Sequence, residues 1–225
     1  MDGNGRWARG RGWARTKGHG KGADVVRAIT TESARLGIEH LTLYAFSSEN
    51  WNRPQREVHF LMGLLMDYLE RELPTLQENN IRLDAIGRLQ RLPEDARKLL
   101  DHCIAACASN TGMRMTLALS YGGRDELVDA CRMLAAEAAA GTLRPEDIDE
   151  AALAQRLYAP GLPDVDLVIR SAGEQRLSNF LPWQTVYAEY VAAPELWPDF
   201  NVTSYHRCLA DYQARERRFG RVDPA

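Results

Sequence analysis

The chain of 225 residues sets 28 Lys and Arg against 31 Asp and Glu, a formal net charge of −3, with 45% hydrophobic and 26% charged residues. That balance excludes a dedicated polyanion binder and a chain too charged to fold, and the length suffices for one core with helical layers. No apolar run approaches the roughly 18 residues of a membrane span and no signal peptide precedes the first motif; the four cysteines form no CxxC pair, which reads as buried thiols in a reducing compartment rather than zinc ligands.

Positive charge is concentrated at one end. Residues 1–22, MDGNGRWARGRGWARTKGHGKG, set one acid, Asp2, against Arg6, Arg9, Arg11, Arg15, Lys17 and Lys21, with His19 and glycines at 3, 5, 10, 12, 18, 20 and 22. Glycines let backbone N–H groups approach an anion while cations neutralise it, so the composition predicts a phosphate cradle. A basic tail that binds nucleic acid loosely has a similar composition, but it has no use for Trp7, Trp13 or an acid placed ahead of its cations.

Beyond the head, Ala23 to Leu36 has helical spacing and stops at Gly37, and His40 to Phe46 reads as a strand. The polar stretch SSENWNRP, Ser47 to Pro54, follows at once, as a functional loop does at the carboxyl end of a strand in an open α/β sheet. From Glu57 to Leu76 a long helix carries apolar residues around most of its circumference, so it must bury two sides. One side meets a sheet; the other either completes the core or lines a slot for an apolar ligand. Ile81 to Gly87 and Met113 to Tyr121 read as strands, and Pro93 to Ala108 and Arg124 to Ala140 as helices. This alternation predicts an α/β fold with a largely parallel central sheet flanked by helices, in a single domain over 1–225. The acids Glu146, Asp147, Asp149 and Glu150 lie between Pro145 and the apolar Leu153 and Leu157, the pattern of an acidic first helical turn rather than a magnesium site. The apolar DVDLVI, Asp164 to Ile169, delivers Arg170, Ser171, Arg176 and Ser178, whose guanidinium forks and hydroxyls suit a second phosphate group. A strand-like piece follows Glu189, and the last helix, from Ser204, ends in Arg215, Arg217 and Arg218.

The motifs MDGNGRWA, Gly18-His19, LTLYAFSSENWNRP, NTG before a strand, YGGR, DLVIR followed by GE and R-x-SNF, LWPDF and ERRFG occur in this order. Together, from Met1 to about Gly220, they resemble a bacterial cis-prenyltransferase of the undecaprenyl diphosphate synthase family, and the agreement of several long motifs makes the resemblance specific. It implies an apolar tunnel between sheet and helices, a homodimer, and Mg²⁺ as cofactor. It further implies that Asp2 binds the metal, with Glu189 near a metal site that a partner subunit completes. Gly3, Asn4, Gly5, Arg6, Trp7, Arg15 and His19 would hold an allylic substrate, farnesyl diphosphate. Ser47, Ser48, Glu49, Asn50, Trp51 and Arg53 match the loop that closes over the reacting groups, with Asn50 assisting proton removal. Arg170, Arg176, Leu177 and Ser178 match the pocket for isopentenyl diphosphate, and Met113 falls where a bulky residue limits the tunnel. Peripheral contact with the inner face of the membrane by a cytoplasmic enzyme follows from the same likeness, while the expectation of no nucleic-acid partner rests on the head's tryptophans and acid and on the lack of aromatic platforms among basic strands.

Three departures stand out. The short apolar strand that runs into the family's Asp is missing before Met1, Gln175 stands where a His near the metal is common, and Ser171-Ala172 replaces a Thr-Gly pair. The first raises the alternative of a noncatalytic or impaired subunit of the same fold, against which Asp2, Asn50 and both arginine groups argue. A nucleotide enzyme would want a GKS or GKT phosphate loop, and a trans-type prenyl synthase its aspartate-rich helix motif; the chain has neither.

Overall fold

A computed structural model describes residues 1–216. Arg217, Arg218 and most of the ERRFG motif lie outside the described residues. In chain order the elements are α1 (Asn4–Arg9), α2 (Arg15–Arg35), β1 (His40–Ser47), α3 (Gln55–Glu78), β2 (Arg82–Ile86), α4 (Glu94–Ala106), β3 (Arg114–Tyr121), α5 (Gly123–Ala139), α6 (Glu150–Ala154), β4 (Leu167–Arg170), β5 (Glu189–Ala192) and α7 (Val202–Gln213). They fall into two compact units. Among the described residues the first comprises 1–32, 164–176 and 183–216, and the second 33–163 and 177–182.

The second unit is built on a three-stranded parallel sheet in the order β1-β3-β2. Its central strand β3 has Met115, Leu117, Ala118, Leu119 and Tyr121 all but sealed from solvent, the continuous apolar run expected of a strand covered on both faces. The register of β1 against β3 slips between Tyr44 and Ser47, just before the turn Ser48–Asn52. Helix α3 buries Val58, Met62, Tyr68, Leu69 and Leu76, while Phe60, Leu61, Leu64, Leu65 and Met66 stay half-buried, so its second apolar side is only partly covered. Helix α4 follows Pro93, carries Glu94 and Asp95 in its first turn where the helix dipole favours acids, and buries Ala96, Leu100 and Cys103. The acids before α6 act as the sequence implies: Asp149 caps the helix by accepting from Ala152 N at 2.8 Å, and Asp147 takes a forked bond from Arg144, both arms 2.7 Å.

The first unit holds a parallel pair, β4 with β5, registered Leu167 to Glu189 through Arg170 to Ala192. Here β4 begins three residues later than the apolar run, because Val165 N is taken by Gln184 O outside the ladder. Two expectations need correction. The glycine-rich head is mostly helical, with α1 over residues 4–9 and α2 beginning at Arg15 rather than Ala23. Cys131 is exposed on α5; only Cys103, Cys107 and Cys208 are the buried thiols expected of all four.

Candidate functional site

The first unit brings the head and the loop after β4 together around Asp2. The Asp2 main-chain N–H donates to Ser171 Oγ at 2.7 Å, Ser171 Oγ donates back to Asp2 O at 3.0 Å, and Trp197 N donates to Asp2 O at 2.8 Å. With its backbone fixed, Asp2 presents one carboxylate oxygen to Gly3 N at 2.7 Å and the other to Arg170 Nη2 at 2.9 Å, and Arg6 Nη2 stands 3.9 Å away. Burial alone would raise this carboxyl, but the bonds from Arg170 and Gly3 prevail and hold it below its usual value, so Asp2 is ionised. Gly3 makes the arrangement possible. It sits at φ 97°, and a Cβ there would lie 2.8 Å from the Leu196 side chain.

Arg6 reaches Glu174 Oε1 at 2.8 Å, and the other oxygen of Glu174 accepts from Arg176. Arg170 also donates to the main-chain oxygen of Arg176, and Tyr190 OH donates to the main-chain oxygens of Glu174 and Arg176, both at 3.0 Å. Asp2, Arg6, Arg170 and Arg176 are thus gathered as the motifs imply, and Glu174, Ser171 and Tyr190 join them although no motif assigned them a role. An acid between two arginines in sequence reads as solvated surface charge, so the signals for Glu174 are its place in the GE motif and in a loop that leaves a strand. Arg15 lies over Gly5, where a Cβ would come within 2.9 Å of Arg15 Nε, and His19 follows one turn later on α2.

Other head residues serve the scaffold. Trp7 is buried, donates Nε1–H to Asp199 Oδ1 at 2.6 Å and carries Arg11 over its ring at 4.2 Å, so it anchors α1 rather than offering itself to a ligand. Asn4 donates Nδ2–H to Met1 O at 3.2 Å, and its Oδ1 is buried. Glu189 pairs with Arg215 at 2.8 Å, and among the described residues no three His, Cys, Asp or Glu side chains converge on one point.

The loop after β1 belongs to the second unit. Asn50 Oδ1 accepts from Ser47 N at 3.1 Å and so shapes the turn. Trp51 donates to Ser120 Oγ at 2.9 Å, packs edge-on against Phe46 and lies under Arg91, which makes it the loop's anchor. Glu49 accepts from Asn179 Nδ2 at 3.0 Å; burial opposes its charge, but this bond and those from Ser47 and Ser48 pull the carboxyl below its usual value. Arg53 is paired with Glu57 at 3.0 Å. Leu177 and Ser178 lead into the same Asn179, whose Oδ1 accepts from Arg124 N at 2.8 Å and whose main-chain oxygen accepts from Gly123 N at 2.8 Å. Ser48 lies close above Gly122, where a Cβ would be 2.5 Å from its Oγ, and Met113 is buried just ahead of β3. Asn179 stands in the R-x-SNF motif, which assigned it no role, and it ties three of the motif segments together.

A family model described as putative undecaprenyl diphosphate synthase matches residues 1–220. An isoprenyl transferase of Geobacter sulfurreducens is 49% identical over 222 residues, 99% of this chain and 90% of that one, and an isoprenyl transferase of Rhizobium meliloti is 49% identical over 220 residues, 98% and 89%. Among solved structures, lavandulyl diphosphate synthase from Lavandula x intermedia, in complex with dimethylallyl diphosphate, superposes with a TM-score of 0.95 at 40% identity, covering 98% of this chain and 95% of that one. A probable undecaprenyl diphosphate synthase from Campylobacter jejuni gives 0.79 at 34% identity, covering 89% and 92%.

Proposed function

Because the chain belongs to the undecaprenyl diphosphate synthase family of prenyltransferases and is an isoprenyl transferase, we propose that it condenses isopentenyl diphosphate units onto farnesyl diphosphate to give a long polyprenyl diphosphate of undecaprenyl length. The observation that carries this reading is the ionised Asp2 held by Arg170 at 2.9 Å beside Arg6, which joins the cations of the head to those after β4. The reaction breaks the bond between an allylic carbon and its diphosphate oxygen, forms a carbon–carbon bond to the second substrate, and releases a proton. Negative charge grows on the departing diphosphate, so Arg6, held in place before the reaction begins, and Arg15, which lies over Gly5, stabilise the transition state more than the ground state. Arg170 and Arg176 offer guanidinium forks to the phosphates of the second substrate. Asn50, an amide whose oxygen is engaged by Ser47 N, orients its loop; it is no strong base.

Asp2 fits Mg²⁺. The ion takes one or two carboxylates and completes its shell with phosphate oxygens and water, and Asp2 is a charged oxygen donor with its side chain 38% exposed. When bound, the ion would neutralise charge on the diphosphate. Within one chain Glu189 does not fit, since Arg215 holds it. The half-buried Phe60, Leu61, Leu64, Leu65 and Met66 of α3 support an apolar slot for the product. Each Å² of polyprene buried there contributes roughly 25 cal/mol, enough to hold a long chain without polar contacts. No helix among the described residues is long and apolar enough to cross a membrane; we place the enzyme in the cytoplasm, working at the inner membrane face.

The test is incorporation of labelled isopentenyl diphosphate onto farnesyl diphosphate, with products sized by chromatography. Chelation of Mg²⁺ should abolish incorporation, and Asp2→Ala should lower kcat by about 100-fold or more. No incorporation, either by the chain starting at Met1 or by one extended upstream with an apolar strand, would reject the reading.

A further inference from the structure

Two arginines of the site share one carboxylate. Glu174 Oε1 lies 2.8 Å from Arg6 Nη2 while Oε2 accepts from Arg176, so a single side chain spans two guanidinium groups that come from different ends of the chain. The backbone that carries Glu174 is built for this. Ala172 and Gly173 take left-handed conformations, their N–H groups donate to Glu195 O at 2.6 Å and Ala193 O at 2.8 Å, and Tyr190 OH bonds the main-chain oxygens on both sides of Gln175. The Glu174 side chain is only 20% exposed, whereas that of Arg176 is 63% exposed. The acid is therefore the fixed partner and the arginine the adaptable one. Asp2 compensates Arg170 in the same unit, so Arg6, Arg170 and Arg176 each already face an internal anion.

We propose that Glu174 is a built-in substitute for a substrate phosphate, a positioning residue that holds Arg6 and Arg176 in the empty pocket and yields them when a diphosphate enters. The inference rests on the reading of this pocket as a diphosphate site. A diphosphate has more charge and more acceptor oxygens than a carboxylate, so it can occupy both forks at once and displace Glu174 from them. The carboxylate is tethered beside the arginines and competes at high effective concentration. Its effect is twofold: the guanidinium groups are kept apart and aimed before substrate arrives, and they have somewhere to return as the leaving diphosphate departs. Removal of the charge should therefore tighten anion binding and hinder release.

Calorimetric titration of the wild-type chain and of Glu174→Gln with inorganic diphosphate in magnesium-free buffer tests this. Gln keeps the size of the side chain and removes its charge. Binding is expected to tighten by about three- to tenfold, the equivalent of one or two partly solvated charge pairs, a gain that no misfolded protein could produce. In turnover, the KM for the allylic diphosphate and the inhibition constant of inorganic diphosphate should fall together, and kcat should fall as release of the diphosphate slows. In an Arg6→Gln background the effect of Glu174→Gln should shrink, since one of the competed contacts is gone. Diphosphate binding by Glu174→Gln that equals or falls below wild type overturns the inference and leaves the pocket standing. Failure of the wild-type chain to bind diphosphate overturns the pocket, and the inference with it.

Discussion

Ala172 stands at φ 72°, a conformation in which the Cβ of an L-residue crowds the following carbonyl at a cost of about 1 kcal/mol. It is the second residue of the Ser-Ala pair that departs from the family's usual Thr-Gly, so the structure supplies a physical meaning for that difference. Ala172→Gly should stabilise the chain by about 0.5 kcal/mol after the unfolded state's extra freedom is deducted, and raise the thermal midpoint. A lower midpoint would mean that the methyl's packing beside Gly3 outweighs the strain. Asp129 is the second single residue with a measurable signature. Arg88 donates to both its oxygens at 2.9 and 3.0 Å and Tyr158 OH at 2.6 Å, and the Arg88 bond, ahead of the opposing burial, pushes its carboxyl down to about 2. Because the folded value lies below the unfolded one, the contribution is complete above about pH 4 and is lost as pH falls through about 2. In urea unfolding, Asp129→Asn should be less stable than wild type by about 1–2 kcal/mol at pH 7, after discounting for solvent screening, and the difference should narrow below about pH 4 and close as pH falls through about 2. A difference that stays constant with pH would assign the loss to packing.

Among the elements, β3 and α3 are legible from sequence because pattern and burial agree: an unbroken apolar run becomes a strand covered on both faces, and a helix apolar all round has two apolar sides. The head is legible in chemistry and not in conformation. Asp2, Arg6 and Arg170 are recognisable by residue type, but glycines at 18, 20 and 22 argue against the helix that is found there. Packing decides the matter. A Cβ at Gly18 would lie 2.1 Å from Asn4 O, and one at Gly22 would lie 2.5 Å from Asn4 Oδ1 and 2.9 Å from the Trp197 ring, so α2 needs glycine to let the Asn4 segment approach. Gly20 has open space around it. These positions therefore respond in opposite ways to the same change. Gly20→Ala should stabilise by about 0.5–1 kcal/mol through helix propensity, whereas Gly18→Ala should destabilise by about 2 kcal/mol or more through overpacking. If both changes stabilised the chain, α2 and Asn4 could not be as close as described. Glu174 and Asn179 fall in the GE and R-x-SNF motifs, but their roles escape sequence reading for a related reason: their partners, Arg6, Glu49 and Arg124, lie 168, 130 and 55 positions away, beyond any local pattern.

On the scale of the whole molecule, a net charge of −3 coexists with a basic head, and most large apolar side chains are covered. Val186 and Tyr187 are exceptions, adjacent in sequence and 68% and 64% exposed, just ahead of β5. Scattered apolar residues on a surface need no partner, but two large exposed neighbours just ahead of a strand are a candidate contact for a second chain. The homodimer implied by the family resemblance would cover them if its twofold axis set the same residues of two chains against each other. The Glu189–Arg215 pair lies at the start of the same strand, so an interface there would also exclude water from a carboxylate to which the resemblance gives a metal role. Analytical ultracentrifugation should find a dimer at micromolar concentration, and Val186→Asp with Tyr187→Glu should shift it to monomer while far-ultraviolet circular dichroism stays unchanged. If the dimer survived both charges, its interface would lie elsewhere; a wild-type chain that sedimented as a monomer at every concentration would end the dimer proposal.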